Sequence, residues 1–483
     1  MAFKNRAFIV TIVAIAIFAF ALTLMNADEC YVAAPAFFCI LLVLWLAMTL
    51  WDRDNAIPLF DIGLLCATAT CLYTIYPLVN YWSDGLQFGP LSDYRLQALQ
   101  ITPAELAVFH LRHIAYLGSF VLAYSMMRGR NTVATGNIVM PGRGGLYILV
   151  AAFIALTCYF LVLQSFTGAS VYSSYEAEES ANSRAAFASL PLLLLQISGK
   201  LAAIHFVLQL ALLLFVVSRS RQPRWRWVLF AWLSLQLGQT ILIKGGRTGL
   251  ILSLLSAGLY YHRLVRPLTL RFLCISGSLI ISFFLFFGLY RAHTDIGAMQ
   301  SQLASSQGGI LSAGNEFQAL LGTALDVQKN IALGSSPPWI VYLNDIVNIL
   351  PPQQVLPFTK IAAAEWYLQD VGLSGSGIGL MWGVIAQSII GFDWVELVIR
   401  GAVLGSLLAW VHRWYVRRSS GFLETLFYSY LCVKTYYTFR DTTLSILTNV
   451  VWEMIPCYLL LKLGVAIAPE LVVSAPPKLT SNR

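Results

Sequence analysis

The sequence predicts an all-α polytopic membrane protein, and three observations carry that prediction. Of 483 residues, 58% are hydrophobic and only 11% are charged, with a mean hydropathy of +0.71. A water-soluble domain could not hide so much apolar surface, so lipid must be the solvent for most of the chain. Apolar runs of about 17 to 25 residues recur from end to end, each long enough to cross the hydrocarbon as a helix. Lys and Arg gather in alternate loops, the bias that retains a loop on the cytoplasmic side.

The first run, 7–25, follows Lys4 and Arg6. The stretch Asn26-Ala27-Asp28-Glu29-Cys30 lacks a small-x-small cleavage pattern and another apolar run follows at once, so this run reads as an uncleaved first helix. Further runs lie at 32–51, 58–82, 104–127, 146–168, 190–217, 228–243, 247–262 and 271–290, which gives residues 1–290 nine spans. Residues 291–374 form a long external loop. Three more spans, 394–411, 422–438 and 444–463, fill residues 394–463, and 464–483 is a cytoplasmic tail. The segment 375–392 is apolar enough to cross, but counting it as a span would put the basic run His412 to Arg418 outside. It therefore reads as a re-entrant or membrane-parallel helix, which is tolerated where protein or water covers the backbone. The result is about twelve spans with both termini inside.

The eight cysteines are scattered, and seven fall inside apolar runs, so no disulfide framework or CxxC metal spacing is present. There is no P-loop, no dinucleotide fingerprint and no internal repeat, and the external loop 291–374 has no DxD spacing. ATP-driven work and metal-dependent transfer are disfavoured; no metal, no bound cofactor and no nucleic-acid partner is expected.

Against the general charge bias, Lys244 and Arg247 occupy the external tip of the hairpin between spans seven and eight, in Ile-Lys-Gly-Gly-Arg-Thr-Gly. Arg291 follows span nine and Arg440 ends span eleven at the same external level. Arg112, Lys200, Arg400 and Lys434 lie within spans, roughly 9 to 15 Å from the external ends of their helices at 1.5 Å per residue. A charge at that depth costs a few kcal/mol and faces a cavity or a partner. For Arg400 two readings stand side by side: an i,i+4 ion pair with Glu396, or a substrate contact. Arg112 either snorkels or joins the pocket. Together the cations describe an outward-opening pocket suited to phosphate or diphosphate, which a guanidinium fork grips in bidentate fashion. Its depth requires that the anion be carried on a lipid.

The external loop mixes glycine, proline and aromatic residues and reads as short helices over that pocket rather than an independent domain. Trp339 and Tyr342 offer either faces for sugar rings or interfacial anchors. Glycosyl transfer to a hydroxyl gains from a general base. Glu316, Asp345, Glu365 and His293, the only histidine in the loop, are candidates for it.

The second half of the chain resembles the bacterial O-antigen polymerases, or oligosaccharide repeat-unit polymerases of the Wzy type. The resemblance rests on Lys244-Gly-Gly-Arg247-Thr-Gly249 opening a span, Arg291 closing the span before the long loop, and Asn315-Glu316-Phe317. It continues through Tyr342-Leu-Asn-Asp-Ile346, Ile349-Leu-Pro-Pro352, Leu356-Pro-Phe358, Gly375-Ser-Gly-Ile-Gly379, Gly391-Phe392, Gly401 and Gly405, and Tyr437-Thr-Phe-Arg440. It covers roughly residues 235 to 463, and order and topology carry more of it than any one motif. It implies a GT-C-like fold and transfer of a growing glycan from undecaprenyl diphosphate to another lipid-linked repeat unit at the periplasmic face. By the same resemblance Arg247, Arg291 and Arg440 hold diphosphate, and Glu316, Asp345 or Glu365 would have to stand in as base for a family Glu that this chain lacks. Lys244, Lys434, Tyr437, Lys200, Arg400, His293, Trp339 and Tyr342 fall to substrate binding, and membrane lipid and a chain-length regulator are further partners. One departure is that Val384 to Ile390 lacks the Glu that many relatives carry before the glycine matching Gly391. An O-antigen ligase, whose acceptor is lipid A core, and a lipid-linked oligosaccharide flippase are the rival readings.

Overall fold

The computed structural model describes residues 14–19, 27–54, 60–84, 102–129, 143–167, 192–242, 247–266, 275–279, 315–350, 361–372, 382–418 and 421–467, with isolated positions besides. In chain order the helices are α1 (Ala27–Asp54), α2 (Ile62–Asp84), α3 (Pro103–Met127), α4 (Arg143–Thr167), α5 (Leu192–Arg219), α6 (Pro223–Leu242) and α7 (Arg247–Leu264). Short helices follow: α8 (Asn315–Ala332), α9 (Trp339–Tyr342), α10 (Asn344–Ile349), α11 (Ala363–Asp370) and α12 (Gly383–Ile390). The chain ends on α13 (Trp394–Arg417), α14 (Phe422–Arg440), α15 (Ser445–Asn449), a π-helical turn at Val450–Met454 and α16 (Ile455–Ile467). No strand occurs among the described residues.

Six described stretches are long and apolar enough to cross a membrane: Glu29–Trp51, Ile62–Val79, Pro103–Met127, Gly145–Val162, Trp394–Arg417 and Ser445–Leu463. Helices α5, α6, α7 and α14 coincide within a few residues with four more of the apolar runs. The runs 7–25 and 271–290 lie largely outside the described residues. Helix α12 has eight residues, and seven of them are buried, Ile389 being the exception.

Local sequence sets several boundaries. Helix α3 opens on a capping box: Glu105 N–H donates to Thr102 Oγ1 at 3.2 Å and Thr102 N–H to Glu105 Oε2 at 2.8 Å, with Pro103 in the first turn. The π-helical turn lies just before Pro456, whose missing N–H and ring bulk disturb the regular ladder of the preceding turn.

The chain divides into two compact units. The first comprises 1–132, 270–414 and 434–447. In it α1, α2 and α3 pack together and α8 lies against α12 and α2. The external-loop helices build a core of their own from Val327, Ile340, Val341, Val347, Ala363, Trp366, Tyr367, Trp382, Ala386 and Ile390. The second unit comprises 133–269, 415–433 and 448–483. Here α5 packs against α4, α6 and α7, and α16 against α4. His205 Nε2 meets Thr157 Oγ1 at 2.9 Å, and the Arg263 guanidinium sits 4.6 Å from the centre of the Tyr415 ring.

Candidate functional site

The first unit carries ionic clusters at both of its ends. At one end the C-termini of α1 and α3, the start of α2 and the last turns of α13 meet. Buried Asp61 accepts from Arg128 Nε at 2.7 Å, from Tyr124 Oη at 2.7 Å and from the N–H groups of Gly63 and Leu64, with His412 Nδ1 at 3.5 Å. Arg128 also donates through Nη2 to Asp54 at 2.6 Å. Burial alone would disfavour charge on Arg128, but the flanking Asp61 and Asp54 carboxylates hold its pKa well above the ordinary arginine value.

At the other end stand the candidate-site residues. Arg400, two turns into α13, donates through Nε to Glu396 at 2.6 Å and through Nη1 to Asp345 of α10, with Thr443 Oγ1 at 3.3 Å from the same nitrogen. The second Asp345 oxygen accepts the backbone N–H of Leu444 at 3.0 Å. Asp345 is thereby clamped between a span that begins at Trp394 and the segment joining α14 to the next span. Glu396 in turn accepts the N–H of Phe392 at 3.0 Å. A Cβ on Gly391 would collide with that carboxylate, so the glycine is needed for its close approach.

A second cluster lies beside it on α3. Arg112 forms a fork with Asp393, Nε to Oδ1 at 2.9 Å and Nη2 to Oδ2 at 3.0 Å, and gives Nη1 to Gln328 at 2.7 Å, with the Trp394 ring 5.6 Å away. Asp393, at the N-terminal edge of α13, holds a positive φ of 48°, which asparagine and aspartate tolerate better than other side-chain-bearing residues.

Of the residues singled out from sequence, the structure brings Asp345 and Arg400 into direct contact and sets them beside the segment that follows Arg440. The local pair of Arg400 with Glu396 exists, and among the described residues the Arg400 Nη2 has no bonded partner. Lys434 and Arg440 are half-buried on α14. Trp339 and Tyr342 are exposed. Lys244, Arg291 and His293 lie outside the described residues, as do the side chains of Lys200, Arg247, Glu316 and Tyr437, whose backbones are helical. Sequence reasoning missed Asp393 as a member of the site. Asp393 gave no local signal, because its arginine is 281 positions away.

Among the described residues no group of three or more His, Cys, Asp or Glu side chains is arranged to hold a metal ion. Two carboxylates around one guanidinium leave the Arg400 cluster with an excess of negative charge. That arrangement does not suit holding a dianion unaided. Searches of protein-family models, of curated proteins and of solved structures find no match to this chain.

Proposed function

We propose that this protein is a glycosyltransferase of about twelve spans and GT-C-like design, with no bound cofactor, that polymerises lipid-linked repeat units at the periplasmic face of the inner membrane. The observation that carries the proposal is the clamped Asp345 carboxylate, held by Arg400 and the Leu444 N–H, next to the end of α14 that bears Arg440.

In this reading the acceptor sugar hydroxyl gives its proton to Asp345 as its oxygen bonds to the anomeric carbon of the donor. The bond from that carbon to the phosphate oxygen breaks, and the electron pair leaves with undecaprenyl diphosphate. Arg247, Arg291 and Arg440 stabilise the charge developing there, assisted by Lys244 and Lys434. Arg400 and Glu396 position Asp345 rather than touch the reacting atoms. Donor and acceptor, both carried on polyprenyl chains, reach the site laterally from the bilayer.

Purified protein in proteoliposomes supplied only with lipid-linked repeat units should produce a ladder of lengths. Product that forms only when lipid A core is added would make the chain a ligase. Movement of intact units across the bilayer with no new glycosidic bond would make it a flippase. Arg247→Ala, Arg291→Ala and Arg440→Ala should each abolish the ladder while the protein still inserts, with Arg→Lys partly tolerated because the fork is lost. Asp345→Asn, which keeps an acceptor for Leu444 but cannot take a proton, should lower turnover about 10²- to 10⁴-fold. An unimpaired Asn variant removes Asp345 as the base.

A further inference from the structure

The segment between Leu333 and Ile349 belongs to the long loop, but its surface does not suit water. Leu333, Trp339, Tyr342, Leu343 and Ile346 are all exposed, Leu333 at 82% and Trp339 at 70%. From 339 onward they recur at three- and four-residue spacing, so they form one face of the α9–α10 pair, while Ile340, Val341, Asn344, Asp345 and Val347 are buried. Between Ile331 and Leu350 the only charged residue is Asp345. An apolar stripe of this kind without charge is uncommon on a surface that meets water.

Its attachment fixes its level. Asp345 binds Arg400 in the second turn of the candidate span α13, and its other oxygen binds the N–H of Leu444, immediately before the candidate span Ser445–Leu463. The α9–α10 pair is therefore held where two spans begin, not above them. On α13 the residues Val395, Val398, Ile399 and Val403 are exposed along the face that a span turns toward lipid, and Phe392 and Trp394 are exposed at its start.

We propose that α9–α10 is an in-plane membrane element. Its stripe of Trp339, Tyr342, Leu343 and Ile346 is sunk into the head-group and acyl boundary of the leaflet at that end, in line with the lipid-facing side of α13. The occupant of the stripe is the bilayer itself, by the physics that lays an amphipathic helix in the interface with its apolar face a few ångströms deep. The buried face closes on the loop core, and the one charge is tied to Arg400. Trp339 and Tyr342 act as interfacial anchors in this arrangement, not as platforms for sugar rings. The inference is independent of what the site transfers.

The test is photocrosslinking of the full-length protein in liposomes of phosphatidylethanolamine and phosphatidylglycerol, with p-benzoylphenylalanine at position 346. The same probe at 398 reports a lipid-facing position on α13, and at the exposed Gln369 of α11 a position outside the stripe. Lipid adducts at 346 and 398 with none at 369 are expected. Adducts at 398 alone, or equal yields at 346 and 369, overturn the proposal, as does a crosslinked dimer at 346, which would make the stripe a contact between copies. Placing the probe at 343 repeats the measurement should the 346 variant fail to insert.

Discussion

A buried ion pair reveals itself by what happens when one member is removed. Arg128 answers Asp61 and Asp54 together, both of them buried in the first unit. Arg128→Ala removes the guanidinium from two buried carboxylates and leaves Asp61 only His412, Tyr124 and two backbone N–H groups, and losses of this kind run to about 3–5 kcal/mol. We expect the variant to melt well below the parent in detergent, whereas Arg128→Lys, which keeps the charge but not the fork, should fall between the two. An unchanged melting temperature for the alanine variant would show that the network adds nothing to stability. Sequence made some of these pairs readable and hid others for a geometrical reason. Glu396 and Arg400 stand one helical turn apart, so spacing alone brings them together. Asp345 and Arg400 are 55 positions apart, and Arg112 and Asp393 are 281 apart; only tertiary packing creates those contacts. The cationic character of Arg112 and Arg400 was therefore legible, as was Glu396, but the distant carboxylates Asp345 and Asp393 that answer them were not.

Helices in lipid gain little from burying apolar side chains against one another, so close approach of backbones matters more. Gly401 and Gly405 sit four apart on α13. A Cβ on Gly401 would strike the Tyr116 carbonyl and Ser119 Oγ, and one on Gly405 would strike the Phe120 carbonyl. The two glycines thus let α13 lie backbone to backbone on α3, and that contact carries Arg112 to Asp393. Leucine at either position should push the helices apart and break the Arg112 fork, even though leucine is the better helix former. The expected readout is loss of a disulfide engineered between α3 and α13, with a lowered melting temperature, in Gly401→Leu and Gly405→Leu. An intact crosslink in both would mean that the helices accommodate the bulk elsewhere. At this scale the sequence was most informative, because spans announce themselves by length and hydropathy and α3 and α13 begin within a residue of where the apolar runs do. The α9–α10 pair escaped that reading. Its apolar run is too short to cross, and a half-embedded element leaves no period that separates it from a loop helix.

For the molecule as a whole, the decisive variable is the number of crossings, since one more or one fewer inverts every loop downstream. The weak point is 375–392. Its hydropathy permits a crossing; residues 375–381 lie outside the described residues, and in the described part α12 has eight residues and rises about 12 Å, against about 30 Å of hydrocarbon. Seven of those residues are packed against protein, and Gln387 donates from Nε2 to the Val341 carbonyl at 3.1 Å and accepts from Trp382 Nε1 at 2.9 Å. A polar amide satisfied inside the loop core belongs to a buried cap, not to a segment exposed to lipid. If α12 does not cross, the start of α13 shares a side with the external loop, and Arg413, Arg417 and Arg418 fall on the cationic side with Arg128 and Arg130. Fusions that are active only outside, such as alkaline phosphatase, and only inside, such as a green fluorescent protein, then give a definite pattern. Joined after residues 222, 419 and 483 they should report the cytoplasm, and joined after residue 336 or 372 the opposite side. A fusion at 419 that reports outside while the one at 372 also does would mean that α12 and its flanking residues cross after all. Arg440 would then move to the cytoplasmic side, away from any lipid-linked substrate in the outer leaflet, and the proposed site would be lost with it.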